Sequence, residues 1–309
     1  MIMKVLVTGG AGFIGSHLVD RLVKLGYDVM VIDNLSSGYK KNLEKSRDKI
    51  KFINDSISSS NIFKYVRKQD IIFHLAAIPD PSSCDKHIEE TFESNVKGTF
   101  NILFSAVKNK VQKVIFTSSA HVYGEPRYLP IDENHPTAVY NYYTLSKRLG
   151  EIICDFFRAK YGLNVVYFRL FNVYGPRQRP NFFIPTLILQ SLKNKRIEIW
   201  TGEPTRDFVY INDIVNALIK AIDCEFEGPM NLGYGQGVNV GELAREIARR
   251  LNSELIILNK QVSGPLKLVC DNTKAKNILK WAPKTTLEKG LRETIKWYKE
   301  NIDYYEKKY

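Results

Sequence analysis

The stretch Thr8-Gly9-Gly10-Ala11-Gly12-Phe13-Ile14-Gly15 decides the fold, because it stands where one hydrophobic period stops and another starts. Before it, Lys4-Val5-Leu6-Val7 is a short apolar run suited to a buried parallel strand. After it, Ile14, Leu18, Leu22 and Leu25 recur at helical spacing until a stop at Gly26. Strand, glycine turn and helix in that order make a cradle for the phosphates of a dinucleotide. Gly9 permits the tight turn, Gly12 lets the backbone approach a pyrophosphate, and Gly15 lets helix and strand pack closely, so the anion meets free N–H groups at the helix N-terminus. A second strand, Tyr27 to Ile32, ends in Asp33, eighteen residues past Gly15, where a carboxylate accepts hydrogen bonds from a ribose diol. The same carboxylate repels a 2′-phosphate and no arginine adjoins it, so NAD is expected rather than NADP. Lys40 and Lys41 follow in a polar stretch and read as solvated charges.

Composition narrows the rest. With 309 residues, 44% hydrophobic and 25% charged, the chain has the core-forming capacity of one large domain or two intimately joined ones. It passes from Met1 straight into the first strand and has no apolar stretch of membrane-spanning length, so a soluble cytoplasmic protein without a membrane partner is expected. Cys84, Cys154, Cys224 and Cys270 are far apart and the five histidines lack ligand spacing, which predicts reduced thiols and no metal. The formal charge of +12 comes largely from scattered lysines. Its densest groups, Lys40-Lys41, Lys193 to Arg196 and Lys307-Lys308, lack interleaved aromatics, and no nucleic-acid partner is expected.

Further short apolar runs, Lys51 to Asn54, Asp70 to Leu75, Lys113 to Ser118 and Asn164 to Leu170, alternate with helical or loop sequence. Such alternation predicts an α/β fold: a Rossmann-type, doubly wound parallel sheet with ligands at the carboxyl ends of its strands. Beyond Asn172 the pattern changes to loops around Pro176, Pro180 and Pro185. Residues 1–171 are therefore read as the dinucleotide-binding domain and 172–309 as mainly a smaller α/β substrate-binding domain. A helix from Asp213 to Ile222 and a strand from Met230 to Leu232 predict a return of the chain to the large domain near 207–233.

Tyr143 and Lys147 stand four apart at the start of a helical segment running to about Lys160, which puts them on one face. An ammonium near a phenol, together with the positive charge of an oxidised nicotinamide, lowers the phenol pKa and equips it to take a proton from a sugar hydroxyl. Ser118-Ser119 at the carboxyl end of a preceding strand supplies a hydroxyl for the same substrate oxygen.

Taken together, the glycine motif with Asp33-Asn34, His74-Leu75-Ala76-Ala77, Asn95 to Thr99, Ser118 to Gly124, Tyr143 with Lys147, Arg169 to Pro176, Arg206 to Tyr210 and Asp271 to Trp281 carry a resemblance over nearly the whole chain. The chain resembles the extended short-chain dehydrogenase/reductase family, in its NAD-dependent nucleotide-sugar epimerase and dehydratase branch. The resemblance implies a catalytic trio of Ser119, Tyr143 and Lys147, and substrate contacts from Ser119, Tyr143, Asn172 and Arg206, the last two on the diphosphate. Around the cofactor it implies Gly9, Gly12, Phe13, Ile14, Gly15, Asp33, Asn34, Ser37, Gly38, Asp55, Ser56, Ile57, Leu75, Ala76, Ala77, Asn95, Tyr143 and Lys147. It also implies a homodimer through the segments Glu90 to Lys108 and Tyr143 to Lys160, whose apolar positions include Phe100, Leu103, Phe104, Ile152, Phe156 and Phe157.

Three departures refine the expectation. Ala120-His121 follows Ser119 where 4,6-dehydratases generally carry a carboxylate, which favours epimerisation at C4 over loss of water. Ser56 falls where relatives place an aspartate on adenine, with Asp55 one residue away as a substitute. Gln261 to Pro265 lacks the arginine and aspartate that many relatives set on phosphate and ribose. The expected activity is a NAD-dependent nucleotide-sugar 4-epimerase, with UDP-glucose and UDP-galactose as the expected pair. The alternatives are another nucleotide-sugar oxidoreductase, a 4,6-dehydratase, or a non-catalytic regulator that binds the same ligands.

Overall fold

Five residues of strand, Lys4–Thr8 (β1), run into the glycine turn and the helix Phe13–Lys24 (α1), and this unit opens a computed structural model that describes residues 2–261 and 264–304. There follow Asp28–Ile32 (β2), Ile50–Ile53 (β3), Ile62–Val66 (α2), Ile71–His74 (β4), Pro81–Lys86 (α3), Ile88–Thr91 (α4), a π-helical turn Phe92–Lys97, Gly98–Lys108 (α5), Lys113–Ser119 (β5), Tyr142–Tyr161 (α6) and Val165–Leu170 (β6). The later chain gives Asn172–Tyr174 (β7), Phe183–Asn194 (α7), Arg196–Ile199 (β8), Thr205–Tyr210 (β9), Ile211–Lys220 (α8), Pro229–Leu232 (β10), Gly237–Asn239 (β11), Val240–Leu251 (α9), Glu254–Ile257 (β12), Lys267–Leu268 (β13), Thr273–Asn277 (α10) and Leu287–Glu300 (α11).

Seven strands form one sheet in the order β10-β6-β5-β4-β1-β2-β3, and every pairing in it is parallel. Strands buried on both faces must send alternate residues to two cores. Val5, Val7, Val29, Val31, Phe73, Ile115 and Phe168 join α1 and α8 on one face. Leu6, Ile32, Ile72, Val114, Phe116 and Tyr167 join α2, α5 and α6 on the other. This is a doubly wound, Rossmann-type α/β sheet.

The strand β10 enters the sheet from the later chain and pairs in register with β6, Met230 opposite Phe168. Nearby, the Lys113 ammonium donates to the carbonyls of Ala221, Ile222 and Cys224, satisfying three acceptors at the end of α8. A second sheet has β9 flanked by β11 and β13 and also pairs β7 with β9. A third joins β8 to β12. No described helix is long and apolar enough to cross a membrane, and no described group of three His, Cys, Asp or Glu side chains is placed to hold a metal.

Candidate active site

A cavity of about 890 Å³ lies over the carboxyl ends of β1, β2, β4, β5 and β6. Its floor at one end is the glycine turn. Gly9 has φ of +69°, and a Cβ there would meet the Ala76 nitrogen at 2.7 Å, while a Cβ on Gly15 would meet the Gly9 carbonyl oxygen at 2.2 Å. Both positions therefore exclude any side chain. Gly12, the residue before α1, makes no side-chain cap, and the first turn of α1 carries no acidic residue, so an anion finds backbone N–H groups and no opposing charge. The Asp33 carboxylate, buried at the end of β2, accepts the Ala11 N–H at 2.9 Å and the Leu35 N–H at 2.8 Å, which fixes it on the cavity wall.

Gly9, Gly12, Phe13, Ile14, Gly15, Asp33, Asn34, Ser37, Asp55, Ser56, Ile57, Leu75, Ala76 and Ala77 all line this cavity. Asp55 spends its oxygens locally, on the Ser56 N–H at 2.7 Å, the Tyr65 hydroxyl and Ser59 at 3.1 Å each, and Asn61 at 3.4 Å. Burial pushes the Asp55 carboxyl up and these bonds pull it further down, so it stays below the usual carboxylate range. Lys40 and Lys41 turn onto the rings of Phe52 and Tyr304, at 5.5 and 4.6 Å from the centroids.

At the other end of the cavity stand Ser119, Tyr143 and Lys147. A capping box sets the start of α6: the Asn141 side chain accepts the Thr144 N–H at 2.9 Å, and the Thr144 hydroxyl oxygen accepts the Asn141 N–H at 3.2 Å. Tyr143 thus falls in the first turn and Lys147 one turn later on the same face. Ser119, the last residue of β5, lies near enough to the Tyr143 phenol for its hydroxyl to favour the ionised form. The Lys147 ammonium donates to the Thr117 carbonyl at 3.0 Å, and burial lowers its pKa to about 8.

The Tyr143 phenol departs from expectation. Burial pushes its pKa up to about 12, and the nearby Ser119 hydroxyl is the leading opposing influence. Within the chain itself the cost of burying a phenolate outweighs the help of neighbouring groups.

Three expected residues lie off the cavity wall. Gly38 sits behind Asp33, where a Cβ would meet the carboxylate at 2.7 Å, so its part is to let the backbone pass. Asn95 clamps the loop after β4 by bonding both the N–H and the C=O of Ile78, at 2.8 and 3.2 Å, and it donates to Ser146 at 3.0 Å. Arg206 donates to the carbonyls of Thr205, Leu266 and Pro265 at 3.0, 3.1 and 2.8 Å. Backbone acceptors take three of the five N–H donors of the guanidinium expected on the substrate diphosphate. Asn172 does line the cavity. In the segment Gln261 to Pro265, Val262 and Ser263 lie outside the described residues.

The sequence reading missed two lining segments, 79–83 with Lys86, and 178–184. The first had a signal in Asp80-Pro81: Asp80 caps α3 by accepting the Ser83 N–H at 2.9 Å, with proline at the first helical position. Across the cavity Arg179 pairs with Asp80 at 3.5 Å. His121 also lines the wall, its Nδ1 2.9 Å from the Tyr140 hydroxyl, and burial with the nearby Arg206 charge lowers its pKa to about 4.

A dinucleotide cradle and a serine–tyrosine–lysine group facing one cavity set the terms for comparison with known proteins. The model of the NAD dependent epimerase/dehydratase family matches residues 5–241. The chain belongs to that family. It is an enzyme whose cofactor is NAD, and the glycine cradle with Asp33 fits that dinucleotide.

Among its relatives, a putative UDP-glucose 4-epimerase of Methanocaldococcus jannaschii is 36% identical over 305 residues, covering 96% of this chain and 99% of that one. A UDP-N-acetyl-alpha-D-glucosaminuronate decarboxylase of Bacillus cytotoxicus is 35% identical, covering 97% and 99%. Among solved structures, UDP-glucose 4-epimerase of Thermotoga maritima with UDP-glucose superposes with a TM-score of 0.92 at 32% identity, covering 97% of this chain and all of that one. Epimerases and decarboxylases of nucleotide sugars are thus about equally similar to this member of the epimerase/dehydratase family.

Proposed function

We propose that this family member is a nucleotide-sugar 4-epimerase acting on a UDP-sugar, with UDP-glucose and UDP-galactose as the first pair to test. The observation that carries the reading is that Ser119, Tyr143 and Lys147, the last two one helical turn apart, all line the cavity that begins at the glycine cradle. Tyr143 takes the proton of the 4-hydroxyl, Ser119 holds the same oxygen as charge develops on it, and Lys147, anchored on Thr117, supplies the positive charge beneath the pair. NAD, when bound, supplies the hydride acceptor and donor. The 4-keto sugar then turns over and is reduced from its other face, while its nucleotide end stays held by Asn172 and the neighbouring wall.

Loss of water fits less well. Ala120 is buried off the wall, His121 is no carboxylate, and the wall carboxylate Asp80 is engaged by Ser83 and Arg179. In this reading residues 1–171, with the return near 207–233, serve the cofactor, and 172–309 mainly serve the substrate. A second reading, a sugar carrying a carboxylate at C6, is favoured by Lys86 on the wall.

Tyr143→Phe is expected to bind NAD and UDP-sugar normally and to lose about 10²–10⁴-fold in turnover. The assay is chromatography of candidate UDP-sugars, because epimerisation changes retention without changing mass and decarboxylation lowers mass. Wild-type turnover in the variant would overturn the mechanism.

A further inference from the structure

The last described residue, Tyr304, is joined by hydrogen bonds to the glycine turn although it lies far from it in sequence. After α11 the chain turns through Ile302–Tyr304 and lays the Tyr304 ring against Trp297, with centroids 5.0 Å apart, and against Tyr39, at 5.7 Å. The buried Tyr304 hydroxyl donates to Asn42 Oδ1 at 2.8 Å. Asn42 Nδ2 donates to the Ala11 carbonyl at 2.8 Å, and the Tyr39 N–H donates to the same carbonyl at 2.9 Å. The Ala11 N–H completes the path by donating to Asp33 Oδ2 at 2.9 Å. A continuous chain of buried hydrogen bonds therefore runs from the C-terminal segment, across the 3₁₀ segment Lys40–Lys49, to both the glycine turn and the carboxylate beside it.

We propose that Tyr304 and Asn42 are positioning residues for the adenosine half of NAD, tying the C-terminal segment to the peptide that fixes Asp33. The inference rests on placing the adenosine ribose at Asp33. Its physical basis is that Ala11 is held on both sides, with Asn42 and Tyr39 at its carbonyl and Asp33 at its N–H, so the donor to Asp33 Oδ2 moves with that peptide while Leu35 holds Oδ1. An epimerase must keep the same NAD while hydride leaves and returns, and a ribose site braced from outside the nucleotide-binding half slows release without touching the nicotinamide. Removing the phenol leaves Asn42 Oδ1 buried without its donor, and the strain is relieved by movement of the segment it anchors.

The test uses binding, so it does not depend on the sugar chemistry. Tyr304→Phe keeps the ring contacts and is expected to weaken ADP-ribose and NAD alike by about five- to tenfold, with faster NAD release, while binding of nicotinamide mononucleotide and of UDP is unchanged. Asn42→Ala should act in the same direction. In the Asp33→Asn background the effect of Tyr304→Phe should shrink, because the two substitutions act on one contact. Affinity for ADP-ribose within about twofold of wild type, an equal loss of UDP binding, or strict additivity with Asp33→Asn would overturn the proposal.

Discussion

Ser119 has two neighbours that matter: the Tyr143 phenol and the backbone N–H of His121, which its Oγ accepts at 3.2 Å. Burial alone drives the phenol upward, to about 12, and Ser119 is the leading influence in the other direction. Ser119→Ala therefore raises the tyrosine pKa further, so at any fixed pH less of the phenol is ionised. The rising limb of the pH–kcat profile is expected to move to higher pH, and kcat at neutral pH to drop by about 10²-fold; profiles of the two proteins measured side by side check this. An unmoved limb would mean that Ser119 acts on the sugar alone. At this scale the sequence was informative wherever a motif brings its own geometry, as with Gly9, Gly15, Asp33, Tyr143 and Lys147. It was silent on the bonds that place Arg206 and Asn95, because nothing local to either residue announces the distant carbonyls of Pro265 and Ile78 that engage them.

The helices α5 and α6 show more apolar surface than the sheet takes up. Leu103 and Phe157 are buried, as core packing requires, but Phe100, Phe104, Ile152 and Phe156 are 45, 40, 48 and 53% exposed, and Phe100 stacks on Phe104 with centroids 5.8 Å apart. A contiguous apolar face of this kind on one pair of helices calls for a partner, and a second copy of the chain is the partner proposed. Sedimentation is expected to find a dimer at micromolar concentration and to find Phe156→Asp monomeric, since the dimer would bury an unpaired charge. A monomeric wild type would dispose of the idea. The amphipathic period made these helices legible, and the strand runs gave β1 to β6 to within a residue or two. The 3₁₀ segment Lys40–Lys49 and the π-helical turn Phe92–Lys97 were not legible, because each is shaped by what it packs against rather than by its own pattern.

Across the whole molecule, titration of buried groups sets the response to acid. His74 bridges Thr8 and Thr99 at 2.8 and 2.9 Å, and burial with the nearby Lys147 charge lowers its pKa to about 3. Burial likewise takes His17 to about 4, as it does His121. Below the unfolded histidine value of about 6.5 the unfolded chain takes up protons that the native chain refuses, so stability falls as pH drops from there toward 4. Asp207 works the other way: burial raises its carboxyl to about 6 despite three backbone N–H donors, and its contribution grows as pH falls from 6 toward 4. Burial raises Glu133 as well, and three histidines outweigh these two carboxyls. The melting temperature is expected to fall steadily below pH 6.5, and less steeply in His74→Gln, whose neutral amide has no proton to gain. A flat profile between pH 6.5 and 4 would contradict this account.

The seventh strand also governs the order in which the molecule is completed. Translation delivers β6 well before Pro229–Leu232, and all six residues of β6 are buried in the finished sheet. A nascent or prematurely terminated chain lacking that strand presents an open parallel edge of Tyr167, Phe168, Arg169 and Leu170, with its backbone donors and acceptors on that side unpaired. Until synthesis passes Leu232 the cofactor half is a template for pairing with other chains. Protection from aggregation arrives with a four-residue segment encoded three quarters of the way along the message.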